Sequence, residues 1–463
     1  MTAYSVVGLG KLGASMAAAI AHRGHRVVGV DVDPRVVAGL AEGRAPVHET
    51  GLQELVTANR ARLSSTSSHE QAVEATDVTF VVVPTPSEPD GTFSIRYAAS
   101  AFEEIGRALR RTEGYHLVVL TSTVLPGATR YGLLPVLEQA SGKRCGDDFG
   151  LCYSPEFIAL GSVIRDFLNP DFLLIGESDE RAGALLERCY AEIVENAAPC
   201  RRMSFENAEL AKIALNAYVT TKITFANMLA DLCERIPGGD VDVVSDALGL
   251  DGRVGRAYLT GGLGFGGPCF PRDNLALASF ADLVGAGAPL PRATHAANEL
   301  VAESVVDRVG QLPSGLTVGV LGLAYKPLSS VVEESQGIAI ARSFARRGVG
   351  VVGYDPIATE NARAELDGVV QVVDSLEACL GLADVLVIAT PDPAFRTLRA
   401  AGIDEAGIKL VVDCWRILER ELRDARVDYL ALGKDAGEGL AAEWLAKRWR
   451  PGLSERAEAG RAG

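Results

Sequence analysis

An α/β fold, with two doubly wound domains joined by a long central helix and a helical middle domain, is what this sequence predicts, and three observations carry it. Through residues 1–200 short apolar runs alternate with helical periodicity, starting at Tyr4-Ser-Val-Val and the glycine run Gly8-x-Gly10-x-x-Gly13. From Glu206 to about Ile236 no glycine or proline interrupts a helical pattern. Near Thr317-Val-Gly-Val-Leu-Gly322 the strand-and-glycine pattern starts again. The expected domains are therefore 1–200, Rossmann-like; 201–308, helical; 309–433, Rossmann-like again; and a flexible tail at 434–463, rich in Gly, Ala, Glu and Arg.

The first strand enters the glycine run, and the helix after it repeats Leu12, Met16 and Ile20 every four residues. A second strand over 27–32 carries Asp31 near its end. That is where a dinucleotide fold places the acid that binds ribose hydroxyls, which favours NAD over NADP. Gly8, Gly10, Lys11, Leu12, Gly13 and Asp31 are the cofactor candidates, and a structural glycine turn is the plainer alternative. Strands are expected next at 78–83, 117–121, 151–153 and 172–175, as in a parallel sheet. The loops after them hold Pro84-Thr85-Pro86, Ser122-Thr123 and Ser154-Pro155-Glu156-Phe157. Open α/β sheets bind ligands at these strand ends, so Thr85, Pro86 and Thr123 are cofactor candidates, with ordinary turn chemistry as the plainer alternative. Glu156 reads as a general base or as a helix-start acid.

On the central helix Lys212 and Asn216 lie four residues apart and share a face. Two donors aimed at one point suit an anionic oxygen, whereas the plainer alternative pairs Lys212 with Glu209 in solvent. The loop Gly264-Phe-Gly-Gly-Pro-Cys-Phe-Pro-Arg-Asp273 then frames Cys269 between flexible glycines and stiff prolines, with Asp273 four residues on. It presents a nucleophile over a glycine floor, or it buries a thiol in a tight turn. Helices continue to Arg308, interrupted by this loop and by Pro289-Leu-Pro291. In the second α/β domain, with strands at 350–354, 385–389 and 409–412, Asp355 ends the second strand as Asp31 does in the first. Its Gly319-x-x-Gly322 lacks the full fingerprint and points to a different ligand, a nucleoside diphosphate.

Composition removes several classes. A formal net charge of −15 without a basic stripe disfavours nucleic acid. The longest apolar runs, 117–120 and 385–389, fall far short of the ~20 residues of a membrane span. The N-terminus runs straight into a strand with no basic leader, so a cytoplasmic location is expected. Eight cysteines without a CxxC pair argue against a disulfide scaffold or a metal knuckle, and no metal is expected.

From Gly8 to about Gly433 the sequence resembles the UDP-glucose/GDP-mannose dehydrogenase family, on the glycine run with Asp31, Pro84-Thr-Pro86, Ser122-Thr-Val124, Pro155-Glu-Phe157, Lys212-x-x-x-Asn216, Gly264-Phe-Gly-Gly-x-Cys-Phe-Pro-x-Asp273 and Gly322-Leu-Ala-Tyr-Lys326. The resemblance implies four-electron oxidation of a nucleotide-sugar C6 alcohol to the uronic acid, with NAD as oxidant and a Cys269 thiohemiacetal and thioester. It implies that Lys212 and Asn216 stabilise the anionic oxygen, that Asp273 and Thr123 hold a water, and that Glu156 is the acid–base group. Phe157, Tyr258, Phe265, Gly266, Lys326 and Arg416 join Glu156, Lys212 and Asn216 as substrate contacts. Arg253 would reach the neighbouring subunit's site, which implies a homodimer. UDP-glucose is the first choice of substrate, with dTDP-glucose, GDP-mannose and a UDP-N-acetylhexosamine as alternatives. Two departures stand out: Glu333 stands where the family has an arginine that meets the NAD pyrophosphate, which implies a displaced loop, a substitute cation such as Lys11 or weaker NAD binding, and Asp413-Cys-Trp-Arg416 replaces an Asp-Gly-Arg pattern. A two-electron hydroxyacid-type dehydrogenase and a non-catalytic nucleotide-sugar binding protein are the rival readings.

Overall fold

Runs of Val, Leu and Ile with little polar alternation become the buried strands of two sheets, because helices cover both faces of each. The computed structural model describes residues 2–310, 313, 315–423, 425–435 and 440–449. The N-terminal sheet holds β1 (Ala3–Val7), β2 (Arg26–Val30), β3 (Leu63–Thr66), β4 (Val78–Val81), β5 (His116–Leu120), β6 (Phe149–Tyr153), β7 (Leu173–Glu177) and β8 (Cys200–Met203). Their order is β3-β2-β1-β4-β5-β6-β7-β8. Pairing is parallel from β3 to β6, with Tyr4 opposite both Val27 and Val78. Strand β7 runs antiparallel to β6, contrary to the expected parallel sheet, and β8 is parallel to β7. The chain after β6 forms a loop and the six-residue helix Val163–Leu168, and does not recross the sheet before β7 begins. Strand β3 is polar (LSST) and β8 carries two arginines (CRRM), so neither showed an apolar run.

One core lies on each face. The helix Lys11–His22 buries Met16 and Ile20 with Tyr4, Val6 and Phe80, and the opposite face gathers Val7, Phe102, Ile105, Leu133 and Phe149. The C-terminal sheet, with β9 (Thr317–Leu321), β10 (Gly350–Tyr354), β11 (Gln371–Val372), β12 (Val385–Ile388), β13 (Leu410–Asp413) and β14 (Asp428–Ala431), is parallel throughout in the order β11-β10-β9-β12-β13-β14. This is the doubly wound order of a Rossmann-like domain.

The spine helix runs over Phe205–Arg235, 31 residues. The other middle helices are Val241–Gly249, Phe270–Leu283, Pro289–Glu299 and Val301–Val309. Pro289 and Pro291 open a helix where a break was expected, since a proline in the first turn loses no helical hydrogen bond. By internal contacts the chain forms two units, Met1–Leu215 with Leu275–Ala288, and Asn216–Asn274 with Pro289–Gly463. This differs from cuts at 200 and 308, because the first turns of the spine helix pack within the N-terminal unit. The expected tail is structured at its start: Lys434 Nζ pairs with Asp240 and Glu419, and a helix spans Leu440–Trp449. Residues 436–439 and 450–463 of it lie outside the described residues.

Candidate active site

At the first glycine turn, Gly8 has φ +93°, and a Cβ there would stand 2.3 Å from the Val82 carbonyl oxygen; at Gly13 it would stand 1.8 Å from that of Gly8. Both glycines are needed for packing. Gly10 differs: it is exposed, and among the described residues nothing lies within 4 Å of where its Cβ would be. It is also the N-cap of Lys11–His22, with no capping side chain and no acid in the first turn, so the helix offers amide donors to an anion beside Lys11 and Leu12. Asp31 follows β2 directly and accepts the N–H of Leu9 at 2.8 Å and of Asp33 at 2.9 Å. A partly exposed carboxylate beside an open helix terminus fits the ribose and diphosphate of a dinucleotide. Asp355 is its opposite: buried, it accepts from Leu323, Ala324, Ile357 and Ala358 at 2.7–2.9 Å and is fully used within its own unit.

The loops after β4 and β5 are tied together. Ser122 Oγ accepts the Val83 N–H at 2.9 Å and donates to the Val83 carbonyl at 2.6 Å, while Thr85 Oγ1 donates to the Thr123 carbonyl at 2.7 Å. Pro86 and Thr123 are half-buried beside these bonds. Glu209 is fully buried and accepts the N–H groups of Gly127 at 2.6 Å and Thr129 at 2.8 Å. It therefore fastens the loop after β5 to the spine helix and does not pair with Lys212 in solvent. No local pattern announces a partnership between residues so far apart in sequence.

Lys212 is 8% exposed; its Nζ donates to the Glu156 carbonyl oxygen and lies 4.4 Å from the centre of the Phe157 ring, which packs on Phe172 at 4.6 Å. Phe157, expected at the substrate, thus holds the lysine. The residue Glu156 retains some exposed surface, but its carboxyl oxygen Oε1 is buried and has no hydrogen-bond partner among the described residues. Burial pushes the carboxyl up to about 7, with the Lys212 charge pulling the other way. A group with that affinity exchanges protons near neutrality. If Glu156 must be ionised to accept a proton, activity falls ~10-fold per pH unit below about 7. A Glu156→Gln variant should be ~10²-fold slower with that limb absent. A pH–rate profile from 5.5 to 8.5 checks this, and an identical acid limb in the variant would remove Glu156 from the role.

In the other unit Asn216 and Asp273, 8% and 1% exposed, form one pair: Asn216 Nδ2 donates to Asp273 Oδ2 at 2.6 Å. The Arg272 guanidinium lies 3.6 Å from the other carboxylate oxygen. One turn along, Asn274 donates to Thr220 Oγ1 at 2.9 Å and to the Phe270 carbonyl at 3.0 Å, a second lock that sequence reasoning missed. Cys269 stands immediately before the helix Phe270–Leu283, and its carbonyl accepts the Asp273 N–H at 2.8 Å. It is the exposed cysteine among the eight, so the buried-thiol alternative fails. A helix N-terminus favours an anion at that sulfur.

A cavity of about 350 Å³ adjoins this loop, lined by Tyr258, Phe265, Gly266, Tyr325, Lys326 and Trp415 among others. Four expected substrate residues, Tyr258, Phe265, Gly266 and Lys326, therefore gather in one place. Tyr258 holds φ +65°, and Trp415 Nε1 donates to the Ala389 carbonyl at 2.9 Å.

One expectation is corrected here. Arg416 does not face a ligand: its guanidinium donates to both Asp242 oxygens at 2.7 and 2.9 Å and to the carbonyls of Leu432 and Gly261 at 2.7 Å each. Its side chain is 3% exposed, so Arg416→Met should lower stability by ~3 kcal/mol through the orphaned carbonyls and Asp242, read by thermal melting with NAD affinity unchanged. The glycines of the Cys269 loop are closely packed. A Cβ at Gly264 would stand 2.3 Å from Asn298 Oδ1, at Gly266 2.2 Å from the Glu334 carbonyl oxygen, and at Gly267 2.6 Å from the Tyr325 ring. Arg253 lies outside the cavity, exposed and paired with Asp251 at 2.6 Å. The Glu333 side chain is exposed.

Among the described residues no cluster of His, Cys, Asp and Glu could hold a metal ion, and no helix is long and apolar enough to cross a membrane. Family models match along most of the chain: UDP-glucose/GDP-mannose dehydrogenase family, NAD binding domain over 2–194, central domain over 206–300 and UDP binding domain over 319–420. The chain is 38% identical to UDP-glucose 6-dehydrogenase AglM of Haloferax volcanii, covering 90% of this chain and 97% of that protein. It is 32% identical to GDP-mannose 6-dehydrogenase of Pseudomonas putida, over 85% and 92%. Among solved structures, a UDP-glucose dehydrogenase from the archaeon Pyrobaculum islandicum superposes with TM-score 0.85 at 39% identity, over 94% of this chain and 98% of that one.

Proposed function

This chain belongs to the UDP-glucose/GDP-mannose dehydrogenase family, and from that premise we propose that it oxidises the C6 alcohol of UDP-glucose to the carboxylate, giving UDP-glucuronate. It is an NAD-dependent oxidoreductase. The observation that carries the reading is Cys269: exposed, at a helix start, beside the buried Asn216–Asp273 pair and next to residues that line the Lys326 cavity. A two-electron hydroxyacid dehydrogenase has no use for this thiol or for a second α/β domain.

NAD+, when bound along Gly8 to Gly13 and Asp31, accepts hydride from the sugar carbon. In the first oxidation the C6 alcohol loses a hydride and a proton and becomes the aldehyde. The Cys269 thiolate then adds to that carbon, forming a C–S bond and an oxyanion that Lys212 and Asn216 stabilise as donors. Loss of a second hydride to a fresh NAD+ converts the thiohemiacetal to a thioester. Water held by Asp273 and Thr123 attacks it, Glu156 takes the water proton, and the C–S bond breaks to return the thiolate and release the carboxylate. The balance is one alcohol, one water and two NAD+ to one carboxylate, two NADH and three protons.

Lys326, Tyr258, Phe265 and Gly266 are assigned to the nucleotide sugar, since they line one cavity. UDP-glucose is preferred because two relatives named for it are 38% and 36% identical, against 32–33% for relatives named for GDP-mannose. Scoring UDP-glucose, dTDP-glucose, GDP-mannose and UDP-N-acetylglucosamine for NADH yield tests both substrate and electron count: UDP-glucose should give two NADH per sugar, and one or none overturns the proposal.

A homodimer and a cytoplasmic location complete the reading. Tyr218, Phe225 and Leu232 recur every seven residues as exposed apolar side chains of the spine helix, the spacing of a helix-packing stripe. Arg253, exposed and paired with its near neighbour Asp251, suits a reach into a second subunit. Sedimentation velocity at micromolar concentration should show twice the chain mass, and a monomer there removes this part.

A further inference from the structure

The Glu333 segment, out of place as a cofactor contact, has another use. Gly267 donates its N–H to the Glu333 carbonyl oxygen at 3.0 Å, and the Glu334 carbonyl oxygen sits where a Cβ of Gly266 would fall, 2.2 Å away. The Tyr325 ring fills the corresponding space at Gly267, with ring atoms 2.6 Å from the Cβ position and φ +83° at that glycine. Tyr325 is bound to the far side of its own loop, its N–H donating to the Val331 carbonyl at 3.0 Å. The preceding turn is fixed by the two amide bonds of Leu323 and Ala324 to buried Asp355 at 2.8 and 2.9 Å. Leu328 and Glu334 hold φ of +56° and +51°, positions that non-glycine residues adopt only when the surroundings dictate them.

We infer that Tyr325 is a positioning residue for the nucleophile, and that the loop from Ala324 to Glu334 is the frame that sets the aim of Cys269. Cys269 lies two residues after Gly267, so a shift of that glycine moves the start of the Phe270–Leu283 helix and the sulfur with it. The frame has two sides. Lys326 and Tyr325 both line the cavity, and the Tyr325 ring, with the carbonyls of 333 and 334, also bears on the glycines. The sensitive feature at position 333 is therefore a backbone carbonyl, which every residue carries whatever its side chain. This inference deepens the proposed function and rests on it only for its kinetic part.

The test uses the full chain with Tyr325→Phe, Tyr325→Leu, Tyr325→Ala and Glu333→Arg. The alkylation rate of Cys269 by iodoacetamide is read by mass spectrometry of the Cys269 peptide, alongside kcat and KM for NAD+. Loss of the ring should slow alkylation and kcat by ~10-fold or more, because a displaced sulfur leaves the helix terminus and its reacting line. The KM for NAD+ should stay within twofold. Phenylalanine should restore the wild-type rates, and Glu333→Arg should leave the alkylation rate unchanged. Wild-type alkylation in folded Tyr325→Leu or Tyr325→Ala, or failure of Tyr325→Phe to rescue, overturns the inference. If alanine does not fold, leucine decides. Alkylation involves no sugar, so a failed nucleotide-sugar reading would show in the NADH panel while the ordering of the Tyr325 variants remained.

Discussion

Cys269→Ala should lower turnover of the sugar nucleotide to its uronate by ~10⁴-fold or more and leave at most one NADH per sugar in a single-turnover mixture. The sulfur is the only group in the scheme that binds the sugar carbon covalently, so its loss separates the two oxidations. The first needs only a hydride acceptor and a proton acceptor. The second needs a tetrahedral carbon carrying an oxyanion, and without the thiolate that carbon is an aldehyde, or its hydrate, that can depart. Cys269→Ser sharpens the test, since the hydroxyl has nearly the same shape but is a far weaker nucleophile at neutral pH. Structural damage should be small, because Cys269 is exposed and its carbonyl bond to Asp273 belongs to the backbone. Two NADH equivalents at normal turnover from either variant would end the thioester scheme.

How much of this the sequence made legible depends on range. Gly8, Gly10, Gly13 and Asp31 lie close along the chain, and their pattern announced a strand, a helix and an acid at the end of the second strand, as found. The spine helix was legible because nothing in it breaks a helix. Strand β3 was not, since an exposed edge strand with serines and a threonine lacks the apolar run that marks a buried one. Arg416 was misread because Asp242, which takes its charge, lies 174 residues away and leaves no periodicity beside it. Glu209 and Gly127, 82 residues apart, were hidden for the same reason. The glycines near Cys269 were legible as glycines but not as seats for Tyr325 and Glu334, because a steric requirement names the space and not its occupant.

The two Rossmann-like halves show what a shared plan permits. Each places an aspartate after its second strand and each aspartate accepts the amide of the residue after the glycine turn, Leu9 in one and Leu323 in the other. Asp31 takes one further amide, that of Asp33, and keeps exposed surface; Asp355 spends its remaining capacity on Ala324, Ile357 and Ala358. An acid already saturated by backbone amides is a poor reader of ribose hydroxyls, whereas a partly exposed one suits them. Sequence position alone made the two look alike, and hydrogen-bond saturation separates them.

Lys212→Ala carries the second large effect, a fall of ~10³-fold in kcat with little change in the KM for NAD+. The residue is 8% exposed and its ammonium is anchored by the Glu156 carbonyl and the Phe157 ring face, so it is oriented and partly desolvated before any substrate arrives. A donor fixed in that way loses little on meeting a developing oxyanion, which is why its contribution falls on the transition state and not on binding. Lys212→Arg keeps the charge, yet a planar fork cannot sit over Phe157 with the same reach, and rescue should stay below ~10% of wild-type activity. Lys212→Met keeps the apolar stem and should melt near wild type while remaining as slow as the alanine variant, which separates lost charge from lost packing. The Glu156 limb reports on the same charge. Burial raises that carboxyl and Lys212 opposes the rise, so removing the ammonium should move the acid limb of the pH–rate profile above about 7. A Lys212→Ala enzyme with a fallen kcat and an unmoved limb would place the lysine outside electrostatic reach of Glu156 in the working enzyme, and an unchanged kcat would remove it from the chemistry altogether.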